Sequence, residues 1–446
     1  MALPPGPRFA PLQAVRFVRN PIDYLTDLQR RHGDAFTVPF PFLGRLVYFA
    51  HPDAIRAIFT GDPKLFHSGE AVEPILGPVV GAHSVFVLDE EAHMRERKLL
   101  LPPFHGERVR RYAQTFAEIT EREVERWPLG APFALRERMQ SLTLEAILRT
   151  VFGIHDPAVI ARFQERVPRM GRVGNLVVML PGLRWDGDRF GPWARFVRAR
   201  EAVYELIYAE IDRAAADPAL DERDDVLALL LRARREDGSR MGRDELRDEL
   251  MSVIAAGHET TATGLAWFFE RVLRHPEVEE RLRAEIAAGD GDEYLDATVR
   301  ETLRVRPVIV DVVRRLKRRT TIGGWDIPAG TDVVAAAAVV QLREDLYPEP
   351  RAFRPERFLD GGGADGAYAW IPFGGGVRRC IGASFAQLEL KVIARTILEH
   401  AQLSAADARP EPPRAAHVTV VPARGARVVL EQRIAPRAEA VALASA

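Results

Sequence analysis

Between Arg243 and His275 the sequence carries a helical pattern that no proline interrupts until Pro276. At 1.5 Å per residue such a helix runs about 45–50 Å, enough to cross an entire domain. Other elements must then wrap around it. No long Gly/Ser stretch divides the 446 residues. The expectation is therefore one large unit over residues 1–446, mainly α with a smaller β region, carrying an extension over about 1–20 and a disordered Ala-rich tail over about 434–446. Inside the long helix lies Ala256-Gly257-His258-Glu259-Thr260-Thr261. Gly257 and the paired threonines weaken a helix at its middle, and the Thr260 hydroxyl can bond back to the Ala256 carbonyl and open the ladder there. Local conflicts of this kind gather at functional sites. His258-Glu259 begins a zinc motif, but Ala262 replaces its second histidine. A carboxylate beside a hydroxyl suits relay of protons through ordered water instead.

The second constraint is Phe373-Gly374-Gly375-Gly376-Val377-Arg378-Arg379-Cys380-Ile381-Gly382, which holds the only cysteine. Its glycines allow a tight turn that lies against something flat. An amphipathic helix follows to His400, with Phe385, Leu388, Val392, Ile393 and Ile397 on one side. A helix start and two adjacent arginines favour a thiolate at Cys380, which suits an axial metal ligand. A lone cysteine is more often an inert core residue. A phosphate-binding loop is the other reading, but it requires a third glycine where Arg379 stands.

The complete pattern F-x-x-G-x-R-x-C-x-G resembles the haem-binding loop of the cytochrome P450 family, in its soluble bacterial form. The resemblance spans about Pro21 to Leu430. It implies haem b ligated by Cys380, with Phe373, Gly374, Arg378 and Gly382 around the ligand and Ala256 on the opposite haem face. Glu259 and Thr260 match the family's acid–alcohol pair, with Glu in place of the commoner Asp. His93 and Arg97, four residues apart on one helix face, read alone as a solvated basic face or a carboxylate clamp; the resemblance makes them propionate ligands. Arg314 takes the same role, with neighbouring Arg315 as the alternative. Glu301, Arg304 and Arg357 match a structural network that holds the cysteine loop.

In chain order, Pro21–Arg31 reads as a first helix, and 35–40 and 45–50 as strands. A short helix ends at Phe59, and residues 66–87 read as a flexible loop that the resemblance places over the substrate pocket. Helices follow over 89–101, 107–127 and 136–151, and over 159–215 with a break at Pro181-Gly182 and Gly187. The apolar run 173–180 reads as core, as a lid, or as a membrane-surface contact. Tyr294–Arg306 is helical and ends before Pro307. Residues 308–313 are extended, with Asp311 meeting a substrate polar group or capping a turn. Short strands lie at 417–421 and 427–430. Strands at both ends of the chain point to a small sheet assembled from distant segments.

Net charge is −1, which gives no general case for a nucleic-acid partner. A single cysteine rules out an intramolecular disulfide and suits a reducing cytosol. No apolar run of spanning length appears, so a cytoplasmic monomer of bacterial origin without a membrane anchor is expected. The implied activity is monooxygenation, with O₂ as co-substrate, of a fatty acid, terpenoid, steroid or macrocycle. Electrons would come from NAD(P)H through a reductase and a ferredoxin or flavodoxin. Arg95, Lys98, Arg110, Arg111 and Arg379 are candidates for the docking face or an ordinary solvated surface. A peroxide-driven haem enzyme and a non-catalytic haem sensor are the alternatives.

Overall fold

The computed structural model describes residues 3–434, apart from 105, 186–189, 290, 360–365 and 367. The tail expected over 434–446 lies, after Ile434, outside the described residues, as does Gly187. The helices run α1 Ala10–Arg19, α2 Pro21–His32, α3 Pro52–Thr60, α4 Gly69–Val80, α5 Glu90–Leu100, α6 Glu107–Glu125, α7 Leu135–Phe152, α8 Pro157–Met179, α9 Pro192–Ala215, α10 Val226–Arg232, α11 Arg243–Val272, α12 Pro276–Ala288, α13 Glu293–Val305, α14 Ala337–Val340 and α15 Ala383–His400.

The main sheet joins segments far apart in sequence. Strands β1 Ala35–Phe40, β2 Gly44–Phe49 and β3 Phe66–His67 combine with β5 Val312–Leu316 and β8 Asp332–Ala335 in the order β1-β2-β8-β5-β3. Strand β4 Pro132–Ala134 pairs with β12 Arg427–Arg433, which also pairs with β9 Ala401–Ala405. Two hairpins complete the β content, β6 Thr320–Ile322 with β7 Trp325–Ile327, and β10 Pro413–Ala416 with β11 Thr419–Pro422. The mainly helical architecture with smaller sheets is as expected.

Helix α11 is the axis of the molecule. It packs on α4, α7, α9, α13, α15 and β11. At Gly257 a Cβ would lie 2.6 Å from Ile147 Cδ1, so α7 approaches closely here and a larger residue would require Ile147 to shift. Trp267 is fully buried and its indole N–H donates to the Val420 carbonyl at 2.9 Å. The helix continues through Thr260 without a break, although the hydroxyl does bond back to Ala256 O at 2.6 Å.

Two segments differ from the sequence reading. Residues 66–87 are not a loop throughout, because β3 and α4 lie within them, and α4 contains Pro74 and Pro78. The stretch before Pro21 holds α1, whose burial is inverted. Gln13 is buried against the Tyr24 hydroxyl, while Leu12, Val15 and Val18 are exposed.

A buried acid on α15 gives the fold a pH dependence. Glu389 is fully buried, neither oxygen has a hydrogen bond among the described residues, and burial pushes its pKa up to about 8. Nearby Thr261 is the one group that pulls it down. The folded protein thus holds the neutral acid. This group costs nothing below the ordinary value of 4.5, and stability declines as pH rises from there toward about 8. Glu389→Gln is expected to leave the melting temperature unchanged near pH 4 and to raise it increasingly up to pH 8. The gain is bounded by about 1.4 kcal/mol per pH unit. Melting curves at pH 4, 6 and 8 check this; a constant offset would contradict it.

Candidate functional site

The cysteine loop is shaped by contacts that demand glycine. Gly376 has φ +63°, and a Cβ there would sit 1.8 Å from the Phe59 carbonyl oxygen, so the loop presses directly on α3. The Cys380 N–H donates to Phe373 O at 3.0 Å, closing the loop just before α15. Gly382 is the residue before that helix, and a Cβ on Gly374 or Gly382 would meet no atom within 4 Å. Cys380 presents accessible surface although protein surrounds it closely, a combination found at the floor of a recess. Burial pushes its thiol pKa up, against the Gly382 N–H, Arg97 and Arg379, which pull it down. This corrects the expectation from the helix start and arginines alone: in the thiol itself, desolvation wins.

Basic side chains gather beside the loop. Arg97 Nη2 donates to Arg379 O at 2.8 Å, bringing α5 onto the cysteine segment. His93 is buried, and burial together with Arg378 and Arg97 pushes its pKa down to about 3. It is therefore a neutral hydrogen-bonding group at pH 7. Arg314 is buried on β5, where its Nη1 donates to Val313 O and to the Ser68 hydroxyl. Burial, then Arg378, pushes its pKa down to about 10. Arg315 points elsewhere, into a two-bond ion pair with Asp332 at 2.8 Å. Arg378 pairs with Asp89 at 2.6 Å. Asp89 is the one carboxylate that acts on His93, Arg314 and Arg378. Two arginines, Arg314 and Arg378, facing one carboxylate leave positive charge to spare, and a buried arginine is stable only with a partner. A dicarboxylate such as haem, carried on its propionates, fits this donor set.

Helix α11 changes character along its length. Residues 261–270 are all buried, whereas Val253, Ala255, Ala256, Gly257, Glu259 and Thr260 keep accessible surface in the middle of a helix packed on many sides. Glu259 and Thr260 are adjacent, but no hydrogen bond joins their side chains among the described residues. Glu259 turns to α7, where Arg136 Nη2 and Gln140 Nε2 both donate to it. Neither partner is legible in the sequence, because each lies more than a hundred residues away with no local signal.

Glu301, Arg304 and Arg357 lie together in the interior. Arg304 and Glu301 are fully buried and share two bonds, Nε to Oε2 at 2.7 Å and Nη2 to Oε1 at 2.8 Å. Arg357 Nε approaches Glu301 Oε1 at 3.4 Å, and the Arg354 N–H donates to the same oxygen at 2.9 Å. Sequence reasoning missed Gln341. Its carbonyl accepts from Arg304 Nη1 at 2.9 Å and its Oε1 accepts from the Ile371 N–H at 3.1 Å, carrying the network to the root of the cysteine loop. Asp311 accepts from the Tyr48 hydroxyl at 3.0 Å, and burial pushes its pKa up to about 6.

The basic surface candidates divide. Arg95, Lys98 and Arg111 are exposed and pair with Glu96, Glu236 and Asp224, while Arg379 is exposed beside the cysteine. Among the described residues, no helix is long and apolar enough to cross a membrane.

Comparison with known proteins agrees with this geometry. The family model described as cytochrome P450 matches residues 2–429. A Mycobacterium tuberculosis protein named cytochrome P450 135B1 is 43% identical over 437 residues, covering 96% of this chain and 91% of its own. Another from that organism, cytochrome P450 138, is 38% identical and covers 97% of each chain. Among solved structures, the retinoic-acid-bound cyanobacterial CYP120A1 aligns with TM-score 0.84 at 23% identity, over 97% of this chain and all of the other.

Proposed function

Because the chain belongs to the cytochrome P450 family and is a haem monooxygenase, we propose that it hydroxylates an unactivated C–H bond of an apolar small molecule, drawing electrons from a separate ferredoxin or flavodoxin. The observation that carries the reading is the surplus positive charge of Arg314 and Arg378, which share the single carboxylate of Asp89, with Arg378 two residues before Cys380. His93, Arg97, Arg314 and Arg378 would hold the propionates, and Cys380 would supply the thiolate. Once bound, the haem supplies reductive activation of O₂. The chain's own residues do the rest.

In this reading the accessible stretch of α11 would present Ala256 and Thr260 to the oxygen-binding side of the haem. Thr260 can donate its proton elsewhere only by leaving the Ala256 carbonyl. Glu259, held as a carboxylate by Arg136 and Gln140, would take up a proton from solvent water and pass it on to restore that proton. The relay from it to Thr260 runs through water or through release from Arg136. Substrate apolarity is supported by the aliphatic character of Val253, Ile309 and Val312, and by the retinoic acid held in the structural neighbour. A fatty acid, terpenoid, steroid or macrocycle meets that description. The exposed Arg379, Arg95 and Lys98 suit an acidic redox partner on the cysteine side.

Thr260→Ala separates the readings. A reductase-driven monooxygenase is expected to keep consuming NAD(P)H while product per electron pair falls severalfold and peroxide rises. Unchanged coupling would contradict the relay. Turnover supported by peroxide alone, with no response to a ferredoxin system, would contradict the proposed electron source.

A further inference from the structure

We propose that Asp89 couples the arginines that would hold the haem propionates to helix α4, so that binding the cofactor and ordering this helix reinforce each other. The proposal rests on the reading above that Arg378 and Arg314 receive the propionates.

Helix α4 is an improbable helix by composition. It contains Pro74 and Pro78 and starts at Gly69. Its N-cap residue, Ser68, does not cap it, because the Ser68 hydroxyl accepts from Arg314 Nη1 at 3.0 Å. The cap comes instead from Asp89, about twenty residues onward. Its Oδ1 accepts the N–H groups of Ser68 and Gly69, both at 2.9 Å, and its Oδ2 accepts that of Glu70 at 2.8 Å. Asp89 stands at the N-cap of its own helix, α5, yet makes no side-chain bond there. The whole carboxylate is committed to α4 and to Arg378.

Arg378 completes the link. Its Nη2 donates to Asp89 Oδ1 at 2.6 Å and to Leu88 O, and its Nη1 to Val85 O at 3.1 Å. The start of the segment 68–89 therefore hangs on Arg314 and its end on Arg378, with Asp89 joining the two. The start of α4 is also pressed onto that anchor, since a Cβ on Gly69 would lie 2.3 Å from Val87 O. Glu90, directly after Asp89, has φ +50°, a left-handed conformation that a side-chain-bearing residue keeps only when its surroundings enforce it. The chain just past the end of α4 is fixed separately, by the His83 N–H and Nδ1 on Asp248 at 3.0 and 2.9 Å.

An anion bound to the remaining donors of Arg314 and Arg378 would offset their surplus charge and hold both guanidiniums in place against Ser68 and Asp89. Whatever it adds to the order of α4, the order of α4 returns to its affinity, because coupling is reciprocal. Helix α4 packs against α11, α8 and β5, so its order reaches the central helix as well.

The test uses hydrogen exchange of peptides covering 68–82 and the rate of haem transfer to apomyoglobin. In the unaltered protein, loading haem is expected to slow exchange in 68–82 more than in α12, which lies apart from this anchor. In Asp89→Asn, haem loss and exchange in 68–82 are both expected to accelerate about fivefold or more, the lower range of coupling between sites, with α12 unchanged. Faster exchange at unchanged haem retention would make Asp89 a cap only and overturn the coupling. Faster haem loss with 68–82 unaffected would overturn it from the other side. Should Asp89→Asn not fold, the comparison of haem-free and loaded unaltered protein decides alone, equal protection in 68–82 overturning the proposal. Failure of the unaltered protein to bind haem would instead overturn the proposed function itself.

Discussion

Cys380→Ser is expected to abolish turnover while leaving the fold intact. The sulfur makes no disulfide, and the loop around it is closed by the backbone bond from Cys380 N–H to Phe373 O, which serine retains. What is lost is the ligand. A serine hydroxyl does not ionise at neutral pH, and the thiolate is the electron donor on which oxygen cleavage depends. Haem held only by His93, Arg97, Arg314 and Arg378 is expected to dissociate faster and to lack the thiolate signature in its spectrum. Helix content and melting before haem loading should match the unaltered protein. Substrate oxidation by Cys380→Ser at an undiminished rate would show that the loop is not the working site.

The second large effect concerns the interior. Glu301→Gln or Arg304→Met leaves one member of a fully buried pair without its counter-charge, at a cost of about 3–5 kcal/mol. That is a large fraction of the roughly 5–15 kcal/mol by which a domain is stable. Arg304 also donates to the carbonyls of Gln341, Pro350 and Ala352, so its removal strands three acceptors as well. Both variants are expected to accumulate as haem-free or insoluble protein. Gln341→Leu is a milder probe of the same path. It keeps the carbonyl that Arg304 binds but loses the bond to Ile371, and is expected to lower haem occupancy more than helix content. Normal haem content in all three variants, measured against protein concentration, would sever this network from the cysteine loop.

What the sequence revealed follows the range of the interactions involved. Helix α11 was legible because its signals are local, an unbroken pattern closed by Pro276. The Thr260 back-bond was legible for the same reason, as a residue and the carbonyl four before it. Helix α4 was not, because two internal prolines argue against a helix and the cap that overrides them comes from Asp89. Helix α1 escaped notice because its apolar residues face outward, so its pattern marks no core face. Local electrostatics predicted a depressed Cys380 pKa, but the burial that reverses the direction belongs to the tertiary structure. Arg136 and Gln140 on Glu259 belong to this long-range class too.

The measurement that bears most directly on the account is the carbon-monoxide difference spectrum of the dithionite-reduced protein loaded with haem. A strongly red-shifted Soret band is the predicted result, since it reports cysteine thiolate opposite the gas. A band at the position typical of histidine-ligated haem, or no haem spectrum in fully reconstituted protein, would contradict the assignment of Cys380 as the ligand around which this chain is built.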